Sequence, residues 1–286
     1  NDRAAERGDY YLTESEEALV NRVTSSFKKV VIVLNVGGMV DTNWFYDNDN
    51  IDSVLMAWQG GMEGALATVD ILTGDINPSG KLTDTFAKSF DDYPSSAGFN
   101  ESVDYVDYIE DIYVGYRYFE TIPEAFKKVN YPFGFGLSYT TFAYTDIVAK
   151  EIDGQIEIKV NVTNTGKVAG KEVVQVYYSA PQGKLGKPSK ELATFKKTKL
   201  LNPNETEELT LSFAVNDMAS FDDLGKIQKS AYLLEKGDYK VYVASSVRDT
   251  VDTGFVYSVS EDTVTQQFTS YCAPVALEKR MVSDGS

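Results

Sequence analysis

The chain has 286 residues, 43% of them hydrophobic and 24% charged, with a formal net charge of −16. That length suggests about two domains, and so acidic a surface repels nucleic acid phosphates and anionic membranes, which argues against both as partners. No run approaches the roughly 18 consecutive apolar residues needed to span a bilayer, and a chain without histidine holds neither a Ser-His-Asp or Cys-His catalytic set nor the usual zinc sites. The lone Cys272 cannot form an internal disulfide, which fits a reducing compartment and gives a cytoplasmic expectation. Asn1 to Glu17 is polar and acidic, with no apolar core of a secretory leader. The chain begins without Met, so a fragment of a longer protein is expected.

Residues 1 to about 145 alternate helical and extended signals. Thr13 to Phe27 carries Thr13 as an N-cap with Glu16 three residues on, then Leu19, Val20 and Val23 on one face. Val30 to Val36 is a run rich in β-branched residues, as expected of a strand buried on both faces, and Gly37-Gly38 ends it. Ile51 to Phe86 reads as strand, Gly-rich crossing at Gly60-Gly61, helix, turn at Asn77-Pro78-Ser79-Gly80, and strand. This repetition favours a mostly parallel sheet.

Asp91 to Asp111 is acidic and aromatic with little periodicity, and reads as a long surface loop. Two aromatic stretches come next, Tyr113 to Phe119 and Tyr131 to Tyr139. They read first as a belt sealing a domain edge, with Gly134 and Gly136 letting backbone pass close to rings, and second as a sugar-stacking platform.

From Phe142 the character changes. Ile156, Ile158, Val160 and Val162 alternate strictly with polar residues, Asn164-Thr165-Gly166 supplies a turn, and Val173 to Tyr178 forms a second strand. Leu192–Leu201, Glu208–Val215, Ala231–Leu234, Tyr239–Ala244 and Gly254–Val259 complete about seven segments with the spacing of an antiparallel sandwich. Tyr239, two residues after Gly237, fits a tyrosine corner whose hydroxyl bonds an upstream backbone group. Gln266 to Ser286 lacks a periodic pattern. The expected organisation is α/β plus all-β: an N-terminally incomplete α/β domain over 1–145, a β-sandwich over 146–262 and a linker or tail over 263–286.

Among the 43 Asp and Glu residues no pair stands out as the acid and nucleophile of glycoside hydrolysis. Glu63, between Gly-rich turns, reads first as a helix N-terminal residue satisfying backbone donors. Glu6 and Asp9 lie on a polar terminal loop that could line a cleft. Gly37-Gly38 lacks the spacing of a phosphate loop, and the Asn-x-Ser/Thr matches at Asn100, Asn161 and Asn204 matter only in a secreted eukaryotic protein.

The pattern W-x-G-G-x-E-G-A … D-I-L-x-G-D-x-N-P-S-G-K-L within Ile51–Phe86 resembles the C-terminal α/β domain of family 3 glycoside hydrolases. Tyr113–Phe119 and Tyr131–Tyr139 look like two further landmarks of that family. Val162–Gly166, Gly170–Tyr177 and Lys190-Glu191-Leu192 resemble the fibronectin III-like domain that comes after it in many members. The likeness is greatest to β-glucosidases, with β-xylosidases next. It implies a retaining mechanism with an Asp nucleophile on a separate barrel and an acid/base Glu on a loop of the α/β domain.

Asn1-Asp2-Arg3 and Gly8–Leu12 match the stretch immediately after that Glu in the family, which puts the acid/base a few residues before Asn1. Asp2 and Arg3 are then candidate substrate contacts, and Glu6 is a weak catalytic candidate. No metal and no cofactor is implied. The partners expected are an oligosaccharide or β-glycoside substrate and the barrel of the same protein. The tail Leu277–Gly285 resembles a linker leading onward in members whose barrel comes after the fibronectin-like domain. The function implied is that of a portion of a retaining exo-acting β-glycosidase; a non-catalytic carbohydrate-binding or scaffolding protein is the alternative.

Overall fold

The structure, a computed structural model, describes residues 4–98, 102–271 and 280–286. The α/β part opens with α1 (Glu14–Ser26), β1 (Val31–Leu34), α2 (Asn43–Tyr46), β2 (Ser53–Met56) and α3 (Gly64–Thr73). The expected capping box starts α1: the Thr13 hydroxyl accepts the Glu16 amide at 3.2 Å, and the Glu16 carboxylate accepts the Thr13 amide at 2.8 Å. That backbone bond from Thr13 holds the Glu16 carboxyl below its ordinary range. Helix α3 stops at Gly74, whose φ of 84° is the left-handed conformation that closes helices.

Strands β1 and β2 pair in parallel, from Val31 opposite Ser53 to Leu34 opposite Met56. Among the described residues no other pair of strands is parallel, apart from the isolated Arg7–Tyr11 bridge of the amino-terminal loop. The extended run after Gly80 does not join them but gives the short β3 (Phe86–Ala87), antiparallel to β4 (Val129–Tyr131). Nor is β1 buried on both faces: Val31 is 50% exposed and Val33 40%. The apolar stripe of α1 is likewise open, with Leu19 61% exposed, and α3 exposes Leu66, Val69 and Leu72. The pattern on which the burial expectation rested is real, but among the described residues no second layer covers it.

Helix α4 (Tyr116–Thr121) anchors a separate aromatic cluster, in which Phe119 and Tyr113 pack with Ile122 and Val129. The tail returns to this region. The amide of Met281 donates to the Ile109 carbonyl at 2.8 Å, Met281 packs against the cluster, and Arg280 pairs with Asp111 and Asp223.

The sandwich is built from β5 (Phe142–Ile152), β6 (Gln155–Asn164), β7 (Val173–Ser179), β8 (Glu191–Lys197), β9 (Thr206–Ala214), β10 (Ser220–Asp222), β11 (Ala231–Leu234), β12 (Gly237–Ala244), β13 (Thr250–Val259) and β14 (Thr263–Gln267). One sheet runs β5-β6-β9 and the facing one β13-β12-β7-β8, with β10-β11-β14 as a smaller third. Ile156, Ile158, Val160 and Val162 of β6 are fully buried, and meet Val174, Val176, Val241 and Val243 from the facing sheet. The tyrosine corner forms as expected, the buried Tyr239 hydroxyl donating to the Glu235 carbonyl at 3.2 Å.

Three strands escape the pattern read from sequence. In β5 a bulge lies between Thr145 and Val148, with Asp146 at a φ of 51°, so the two-residue period is lost. Strand β10 has only three residues. Strand β14 corrects the expectation of a linker from residue 263: Thr263–Gln267 pairs with β11 through its backbone, while four of its five side chains face solvent and leave no alternation to detect. Among the described residues, no helix is long and apolar enough to cross a membrane.

Candidate functional site

In an open α/β sheet, ligands are taken up outside the carboxyl ends of the parallel strands, because loops and helix starts converge there. Here that edge is formed by the segments after Leu34 and Met56. The two are held together by the bond from the Ala57 amide to the Leu34 carbonyl, 2.9 Å, and by a tight approach of Gln59 to Gly37, where an added Cβ would lie 2.9 Å from Gln59 Nε2. Trp58 crosses this edge with a φ of 53°, strained for a side chain of that size, and its ring lies 6.3 Å from that of Phe86. In the sequence Trp58 is one member of an apolar run, and a backbone conformation leaves no compositional mark.

The amino-terminal loop closes over the same edge. Tyr10 is 2% exposed, packs edge-on to Tyr11 and Phe90, and its carbonyl accepts the Asp41 amide at 2.9 Å. Burial first, and then the neighbouring Tyr93 and Asp41, push its phenol well above the ordinary tyrosine range. Asp9 turns inward and accepts the Ala4 amide at 2.7 Å, so it shapes the loop from within. Glu6 is exposed, and only its backbone takes part in the turn. Asp2 and Arg3 lie outside the described residues.

Glu63 stands at the N-cap of α3, but its carboxylate makes no capping bond and is exposed. The expectation that it satisfies backbone donors is therefore corrected. Its α-region backbone does not have the extended geometry from which a capping side chain reaches back.

The aromatic and glycine motifs meet somewhere else, at the junction of the α/β part and the sandwich. Asn77 of the turn before Gly80 donates to the Ala169 carbonyl at 3.1 Å and accepts from the Ser138 hydroxyl and the Tyr139 amide at 2.9 and 2.8 Å. Lys81 pairs with the buried Glu172 at 2.9 Å. Gly136 passes so close to the Gly80 carbonyl that a Cβ would lie 2.2 Å from it, and Gly134 approaches Gln175 equally closely. Gln175 donates to the carbonyls of Gly134 and Ser245. Tyr116 stacks on Phe133 at 4.5 Å while its hydroxyl accepts the Leu192 amide, and Arg117 pairs with Glu191 at 3.0 Å. These landmarks bind one half of the chain to the other, as the belt reading anticipated.

Residues 2–139 match the family model described as the glycosyl hydrolase family 3 C-terminal domain, and residues 172–247 match that of a fibronectin type III-like domain. The chain belongs to glycosyl hydrolase family 3. Its similarity to family members covers nearly its whole length. It is 53% identical to beta-glucosidase A of Butyrivibrio fibrisolvens over 98% of this chain and 36% of that protein, and 44% identical to a beta-glucosidase of Ruminococcus albus over 98% of this chain and 29% of that one. Among solved structures it superposes on a beta-glucosidase from Paenibacillus barengoltzii with a TM-score of 0.89, at 45% identity and covering 94% of this chain and 30% of that one. Beta-glucosidase 3B from Thermotoga neapolitana, in complex with alpha-D-glucose, gives a TM-score of 0.82 at 42% identity, covering 92% and 36%. The chain thus spans about a third of the length of the family 3 relatives it matches. What it provides is the α/β plus fibronectin-like architecture of that family.

Proposed function

We propose that this chain is the auxiliary portion of a retaining, exo-acting β-glycosidase, with β-glucosides as the leading substrate class. One observation carries the reading: the apolar faces of α1, β1 and α3 stand open, with Leu19 61%, Val31 50%, Leu66 65% and Val69 52% exposed. Parallel sheets are stable when both faces are covered, and apolar surface on this scale marks an interface. The occupant proposed is further protein of the same enzyme, in keeping with relatives about three times as long. The nucleophile then belongs to the barrel, and the acid/base Glu to the loop that would precede Asn1. The edge bearing Trp58 and the amino-terminal loop faces the substrate.

Retaining hydrolysis needs its two carboxyl groups about 5–5.5 Å apart, so the role of this chain is to hold the acid/base loop in register with the barrel. The lone Cys272 supports a cytoplasmic location, which cell fractionation would check.

The test uses the intact protein encoded by the reading frame that contains this segment. It is expected to hydrolyse an aryl β-glucoside faster than an aryl β-xyloside, and to release the β-anomer first when the product is monitored by proton NMR. Release of the α-anomer, or no turnover of either substrate, would overturn the proposal.

A further inference from the structure

The aromatic stretch Tyr131–Tyr139 and the hairpin joining β12 to β13 face one another across an open-mouthed cleft of about 770 Å³, floored by β5 and by Glu172 just before β7. Small-molecule sites typically fall between about 300 and 1,000 Å³. One polar atom in this cleft lacks a well-formed hydrogen bond. The Tyr144 hydroxyl is buried and makes no hydrogen bond of good geometry; burial first, and then the charge and close approach of the Glu172 carboxylate, push its phenol upward. A buried hydroxyl left unpaired destabilises the fold, and phenylalanine would fill the same space without that cost. The oxygen therefore answers to something other than packing.

The remaining walls define what that is. Lys81 and Arg248 bring two positive charges, Glu172 and Asp249 two negative ones. Lys81 is already paired with Glu172 at 2.9 Å, and Arg248 with Glu120 at 2.8 Å. An anion would meet Glu172 and Asp249, a cation would meet Lys81 and Arg248, and a wholly apolar molecule would desolvate the Lys81–Glu172 pair without replacing water. A neutral polyhydroxylated molecule has none of these faults. Hydroxyls of Ser138, Thr140 and Ser246 border the cleft, and the rings of Phe135 and Phe142 add apolar surface of the kind that receives the C–H face of a pyranose.

We propose that this junction cleft is a saccharide-binding site, in which the Tyr144 hydroxyl and the Glu172 carboxylate hydrogen-bond sugar hydroxyls while Phe142 supplies the apolar wall. The site goes beyond the glycosidase reading and does not rest on it, because its test reads binding and not turnover.

That test is an NMR titration of the 286-residue chain with cellobiose, read through backbone amide shifts. Saturable shifts at millimolar sugar are expected, concentrated in Gly136–Tyr144 and Ser245–Val251. Tyr144→Phe is expected to melt no lower than the parent, since it removes only an unpaired hydroxyl, and to bind cellobiose about five- to tenfold more weakly, the worth of one hydrogen bond. Absence of shifts in both segments up to the solubility limit of the sugar would overturn the proposal. So would unchanged affinity in Tyr144→Phe, or competition by inorganic phosphate for the same amides.

Discussion

Replacing Glu235 by alanine is expected to cost about 3–5 kcal/mol of folding stability, the range for removing one partner of a buried ion pair. Glu235 is 3% exposed and pairs with Lys187, itself 1% exposed. The same carboxylate accepts the Lys184 amide at 2.6 Å and the Leu185 amide at 3.3 Å, so it organises the whole segment Gln182–Pro188 over the sandwich. Gly183 sits so close that a Cβ would lie 2.2 Å from the carboxylate, which shows how tightly the loop is wrapped. The alanine variant strands a buried ammonium and two amides together. Glu235→Gln keeps an acceptor but not the charge, and most of the loss is expected to remain, because the uncompensated Lys187 dominates. Pairing Glu235→Ala with Lys187→Met should restore part of it. Denaturant midpoints measure all three; a Glu235→Ala midpoint equal to the parent's would refute the assignment.

Asn164→Ala is expected to cost about 2–3 kcal/mol, counting about 1 kcal/mol each for the Thr140 hydroxyl and the Gly166 amide, which lose their partner, and less for the carbonyls of Val168, an exposed residue, and Leu201, which keeps the Gly170 amide. Asn164 is fully buried and uses its whole amide. Its oxygen accepts from the Thr140 hydroxyl at 2.6 Å and the Gly166 amide at 3.1 Å, and its nitrogen donates to the Val168 and Leu201 carbonyls, both at 2.8 Å. Through Thr140 it reaches the segment that enters β5, and through Leu201 the chain leading to β9. Asn164→Asp should fare no better, since a carboxylate would face two carbonyl oxygens. Equilibrium unfolding would measure the loss, and faster exchange of the Gly166 amide would localise it. An alanine variant within about 1 kcal/mol of the parent would show that water replaces the lost bonds without penalty.

These two residues work through partners distant in the chain, and that distance separates what the sequence discloses from what it hides. Local devices were legible because both partners lie within a few residues: the Thr13–Glu16 capping box and the bond from Tyr239 to Glu235. So was the β6 core, where strict alternation survives intact in Ile156–Val162. Legibility failed where geometry departs from its period, as at the Asp146 bulge in β5, or where an element pairs by backbone alone, as β14 does.

The motifs occupied a middle ground. Asn77, Gly136, Gln175 and Arg117 marked the family in the sequence, yet their partners lie tens of residues away, so their role in joining the two parts emerged only in three dimensions. The candidate acids fared unevenly for the same reason. Asp9 and Glu63 were visible as carboxylates beside glycines, but only the fold shows Asp9 turned onto the Ala4 amide and Glu63 left uncapping and exposed. The tryptophan of the W-x-G-G pattern was visible as a family mark, but the strained φ of Trp58 and the poorly paired Tyr144 hydroxyl gave no signal, because both are properties of placement.

If this chain walls and positions a glycosidase site whose reacting carboxylates lie elsewhere, it should be inert by itself. The direct measurement is incubation of the purified 286-residue chain with an aryl β-glucoside. No release of the aryl group above the buffer rate is predicted. Turnover that saturates with substrate and is abolished by Glu6→Gln or Glu63→Gln would contradict it, and would place the chemistry within this chain.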